Sequence, residues 1–146
     1  MSYFAAACGA GLGMMIGIVI FSNSWRTGLL PKDYDFIHEY GKSIIRIDNK
    51  KLTYGIRLLI GMLLHPVVFV FIWGKDGYLG INPLNSSIVS AVILLAIESI
   101  IFSIVLWMGF LKISSKELVG RIIGLQFAFH IILGFLMGFT YDYFPI

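Results

Sequence analysis

The stretch Ile88–Leu111, IVSAVILLAIESIIFSIVLWMGFL, holds 24 residues with one ionisable side chain, Glu98, and no proline. As a helix rising 1.5 Å per residue it would extend about 36 Å. That is enough to cross a hydrocarbon core about 30 Å thick. Three other runs have the same character: Tyr3–Ser22, Leu58–Trp73 and Leu118–Phe139. Each is near or above the ~20 residues that a spanning helix needs. The four runs predict an all-α fold, an integral membrane bundle of four transmembrane helices over about 3–22, 58–73, 88–111 and 118–139. Together with short connectors they use nearly the whole chain, so residues 1–146 form one domain.

Composition agrees. With 58% hydrophobic and 13% charged residues and a mean hydropathy of +0.89, a water-soluble domain would lack the polar surface to cover itself. No Lys or Arg precedes the first run, and the run is long enough to span, so it is expected to stay as a helix rather than be cleaved as a signal. Cys8 is the single cysteine, which excludes intrachain disulfides and CxxC metal sites. The net charge of +3 is spread around the span ends and forms no basic stripe with aromatic platforms, so nucleic acid is not an expected partner.

The basic residues are uneven. Arg26, Lys32, Lys42, Arg46, Lys50, Lys51 and Arg57 fall between the first two spans, and Lys112, Lys116 and Arg121 at the turn into the fourth. Lys75 alone sits on the other side. The positive-inside rule then predicts a plasma-membrane protein with segments 23–57 and 112–117 cytoplasmic and both termini outside. Within the first connector, residues 31–47 carry Phe36, Ile37, Tyr40, Ile44 and Ile47 at helical spacing among charged residues. This pattern predicts a cytoplasmic interfacial amphipathic helix, its apolar face in lipid or against a partner subunit.

Ala5, Gly9, Gly13 and Gly17 recur every four residues in the first span, and Gly134 and Gly138 repeat the spacing in the fourth. Small residues at that interval let another helix backbone come close. The neighbour is either a helix of the same bundle or one from another chain.

Polar side chains near mid-span are the strongest functional clue. His65, Glu98, Gln126 and His130 are predicted to meet near the membrane midplane, where a carboxyl group must be protonated, paired or hydrated. Gln126 and His130 share one face of the fourth span, four residues apart. A hydrogen-bond network that fixes helix register, a proton- or ion-handling site, and metal or haem ligation through His65, Glu98 and His130 all fit these residue types. No cofactor is predicted from the sequence, haem or a metal being the alternative. Pro66, directly after His65, removes a backbone donor and predicts a kink there.

The glycine-rich first span, Gly28-Leu29-Leu30-Pro31, LLIGMLLHPVVFVFIWG in the second span, and a His followed by small-xxx-small in the fourth together carry a resemblance. It covers most of the chain and is to small four-span membrane proteins of uncharacterised role in archaea and bacteria. The layout is also similar in kind to small added subunits of archaeal ammonia monooxygenase, of the copper membrane monooxygenase class, without the copper-ligand motif of that class. That resemblance implies a non-catalytic accessory or structural subunit of a larger membrane complex, with lipids and other integral membrane subunits as partners. The sequence shows no nucleophile–base set and no phosphate-cradling loop, so no catalytic residue is expected. A small homo-oligomeric proton or ion transporter using Glu98 is the alternative, and a haem- or metal-binding redox subunit through His65 and His130 a second.

Overall fold

The computed structural model of the chain describes residues 2–32, 34–74, 77–110 and 115–144. Lys75 and Lys112 of the charge pattern, and residues 111–114, lie outside the described residues. The elements are α1 (Ser2–Asn23), α2 (Phe36–Tyr40), α3 (Lys50–Val67), α4 (Ser87–Phe110) and α5 (Lys116–Tyr143). Among the described residues there is no strand. Four helices, α1, α3, α4 and α5, are long and apolar enough to cross a membrane.

Two boundaries correct the sequence reading. α3 begins at Lys50 rather than near residue 58. Asn49 caps it, its Oδ1 accepting the Leu52 N–H at 3.1 Å, and that cap lets the polar turns before Leu58 join the helix. Arg57 therefore lies inside a spanning helix and not in the connector. Pro66 also sits within α3, which then widens into π turns over Val68–Trp73. A lost N–H donor is one cause of such widening.

The second correction concerns segment 31–47. Only Phe36–Ile45 is helical, as α2 followed by a π turn. Its apolar face meets the bundle's own core rather than lipid or a partner. Phe36 is 3% exposed and stacks on Phe21 with ring centroids 4.8 Å apart. Tyr40 lies 5.4 Å from Phe102. Gly41 leaves room for the Thr53 side chain, which fills the space a Cβ would need.

α5 is the central helix, packed along α1 on one side and α4 on the other, while α1 also packs along α3. Glycines permit both approaches. Gly9, Gly13 and Gly17 of α1 face Leu136, Leu133 and Phe129 of α5, and Ala5 is fully buried. Gly134 and Gly138 of α5 face the backbone of Ala91 and Ile88 in α4. The small-residue stripe of α1 is thus occupied by a helix of the same chain. By contrast, α3 and α4 hardly approach each other along their length.

Candidate functional site

That gap between α3 and α4 is the site. It encloses a cavity of about 400 Å³. Trp73 Nε1 ties one end shut by donating to the Ser90 carbonyl at 3.1 Å. Tyr40 and Ile45, from α2 and its π turn, close the other. Along the mouth stand Ile60, Leu64, Ile101 and Val105, between 39% and 60% exposed.

One polar bridge crosses the gap near mid-length. His65 Nδ1 donates to Glu98 Oε2 at 2.5 Å, with the side chains 10% and 22% exposed. Helical spacing from Glu98 brings Ile101, Phe102 and Val105 to the same face of α4, and these line the cavity with it. On α3 the same reasoning aligns Arg57, Leu64, His65 and Val68. The site exists because two apolar helices carry their polar residues toward each other across a space neither fills.

The four residues expected to cluster do come near one another, but as two pairs. His130 lines the cavity, its ring centroid 5.8 Å from that of His65 and roughly perpendicular to it. Its Nδ1, however, turns to its own helix and donates to the Gln126 backbone carbonyl at 2.7 Å. The Gln126 amide Nε2 lies 3.1 Å from the same nitrogen, and Gln126 is fully buried. Glu98 therefore pairs with His65 and not with His130. Among the described residues, no three His, Cys, Asp or Glu side chains gather as a metal-ligand set.

Arg57 is the cavity-lining residue that the sequence reading misplaced. It lines the same cavity, with its Cζ 5.2 Å from the Phe102 ring centre, 5.9 Å from Phe129 and 6.0 Å from Tyr40. The available signal was the Asn49 cap followed by apolar residues at helical spacing, which draws residues 50–57 into the span.

α2 is latched over this end by Asp35. Its Oδ1 accepts the His38 N–H at 3.1 Å and the Tyr54 hydroxyl at 2.9 Å, and Oδ2 meets Lys50 Nζ at 2.9 Å. Burial pushes the Asp35 carboxyl up, yet those hydrogen bonds and the Lys50 charge outweigh it and hold the group below its ordinary value of 3.8. A depressed pKa means that the unfolded segment takes up the proton first. The latch is thus complete above about pH 4 and lost as pH falls through the lower folded value. Amide exchange of Phe36–Tyr40 should accordingly stay slow and flat from pH 7 to about pH 4.5, after correction for intrinsic rates, and rise in Asp35→Asn. Loss of protection already between pH 6 and 5 would show that Asp35 does not hold the latch. Tyr40 remains a neutral cover, because burial pushes its phenol up against the opposing charge of Arg57.

No protein-family model matches the chain, and no curated protein or solved structure matches it either.

Proposed function

We propose that the chain is a membrane-embedded binding protein that admits an amphiphilic, lipid-like molecule sideways from the bilayer into the α3–α4 cavity. One observation carries this reading: two neighbouring spans leave an apolar-mouthed cavity of about 400 Å³ with His65, Glu98 and His130 at its wall. A largely apolar pocket with a few convergent polar groups is the usual form of a small-molecule site. The mouth lies between spanning helices, so the ligand reaches it through lipid rather than water. His65, held through Nδ1 by Glu98, keeps its other ring nitrogen for a ligand donor or acceptor. The uneven basic residues support an orientation with the termini outside and 23–57 and 112–117 cytoplasmic, in a plasma membrane.

The test is photo-cross-linking of the purified chain in bilayers containing a lipid with a photoreactive tail. Label should concentrate on Leu64, Ile101 and Val105, and Ile101→Trp, which puts an indole into the mouth, should remove most of it. Label spread evenly over all exposed helix faces and indifferent to Ile101→Trp would refute a lateral site.

A second reading, as an accessory subunit of a larger membrane complex, draws on a different face. Gly120, Gly124 and Ala128 are exposed at four-residue spacing on α5, and nothing lies within 4 Å of a Cβ placed at either glycine. An incoming helix could approach closely there. Migration of the chain on native gels with larger membrane subunits, abolished by Gly124→Leu, is the expected sign. Migration alone after mild extraction would count against it.

A further inference from the structure

Arg57 has five N–H donors and, among the described residues, no acceptor within hydrogen-bond distance of them. Among the described residues no carboxylate, carbonyl or hydroxyl reaches it within hydrogen-bond or ion-pair distance. Its surroundings are the faces and edges of Phe102, Phe129 and Tyr40. Aromatic rings offset part of a guanidinium's charge but accept no ordinary hydrogen bond. An arginine near a span end normally extends along the helix to reach the headgroup region. Here α2 lies across that route, with Tyr40 over the guanidinium and Phe36 and Ile37 anchored in the core. The charge is held at the cavity wall, about two turns into α3.

The remaining charged groups that face the cavity do not answer it. Glu98, the single carboxylate among the described residues on the cavity wall, is engaged by His65. His130 gives its Nδ1 proton to the Gln126 carbonyl. The cavity thus combines a fixed cation that no carboxylate among the described residues contacts and a mouth of exposed Ile60, Leu64, Ile101 and Val105. An anionic head with an apolar tail meets both requirements at once.

We infer that Arg57 anchors the anionic head, a phosphate or carboxylate, of a lipid whose chain leaves between α3 and α4. The planar guanidinium can hold two oxygens of such a head in a fork, and the two histidines stand farther along the wall. This rests on the binding role proposed above and adds the ligand's charge and its anchor.

The experiment uses the full chain in nanodiscs of neutral phosphatidylcholine doped with phosphatidic acid, released into native mass spectrometry, with free inorganic phosphate in a parallel arm. The expected result is one phosphatidic acid retained per chain in preference to phosphatidylcholine. Arg57→Met should reduce that preference about ten-fold or more, as expected for losing a charge-assisted hydrogen-bond pair. Arg57→Lys, which keeps the charge but not the fork, should fall between. Should Arg57→Met fail to fold, the wild-type preference and Arg57→Lys decide the matter. An undiminished preference in folded Arg57→Met, or in Arg57→Lys where Met does not fold, overturns the anchor. So does equal retention of both lipids. If Ile101→Trp still abolishes that equal retention, the lateral cavity stands and only the anchor fails. No retained lipid of either kind removes the binding role itself. Displacement of the lipid by free phosphate at millimolar concentration, with phosphate retained in its place, assigns the site to a soluble anion and overturns the lipid.

Discussion

Glu98→Ala should lower the stability of the folded bundle by about 2–4 kcal/mol, somewhat less than a sealed buried pair would lose. The loss has two parts. His65 Nδ1 loses its hydrogen-bond partner, and a buried polar group left unsatisfied costs about 1–3 kcal/mol. The bridge between α3 and α4 also disappears at a level where those helices have little apolar contact to replace it. The Glu98 side chain is 22% exposed, so the pair is less enclosed than a sealed one, which sets the lower bound. Glu98→Gln keeps an acceptor for the histidine and should cost about 1 kcal/mol or less. Equilibrium unfolding in mixed detergent micelles gives both values, and a cycle with His65→Ala isolates the coupling. Full additivity of Glu98→Ala and His65→Ala would mean that the 2.5 Å contact contributes nothing to holding the gap together. The same Glu98→Gln variant bears on transport. Proton or ion flux in liposomes that depends on Glu98 would favour a conduction role over binding alone.

The spans were legible because a long apolar run has one economical outcome in lipid, a helix with its own backbone satisfied. Glu98 and His65 were legible for the complementary reason: polar groups in such runs must find one another. Which histidine Glu98 takes was not legible. Both lie at mid-span, and nothing in the spacing told that His130 Nδ1 would turn to the Gln126 carbonyl one turn back on its own helix. Arg57 was missed because a hydropathy window closes at the first charges it meets, and Lys50, Lys51 and Arg57 made Leu58 look like the boundary. The docked face of α2 shows a deeper limit. Phe36 and Ile37 signal an apolar surrounding, but lipid and a helical bundle are both apolar, so amphipathic spacing alone does not choose between them. The α1 glycines announce close approach without naming the neighbour, which turned out to be α5.

That close approach gives the second large effect. Gly138→Ala should destabilise the fold by about 2–3 kcal/mol, the upper range for overpacking, while Gly124→Ala should be neutral or slightly stabilising. A Cβ on Gly138 would stand 2.6 Å from the Ile88 Cα and 2.6 Å from the Ser87 carbonyl oxygen. Both are backbone atoms, so no rotamer change can clear the space and α4 itself must retreat. At Gly124 nothing lies within 4 Å, and alanine there gains about 0.8–1 kcal/mol of intrinsic helix preference, reduced in a helix already fixed by packing. Comparing unfolding midpoints of the two variants separates local clash from a general effect of adding methyl groups to α5. Equal midpoints would show that the α4–α5 approach is slack. The consequence reaches the site, because α4 carries Glu98 while His65 stays on α3 against α1. A retreat of α4 at Ile88 tilts Glu98 away from its partner and widens the cavity mouth. Gly138→Ala should therefore weaken the proposed lipid retention as well as stability, although residue 138 lies about two helical turns beyond His130 and is not among the cavity-lining residues.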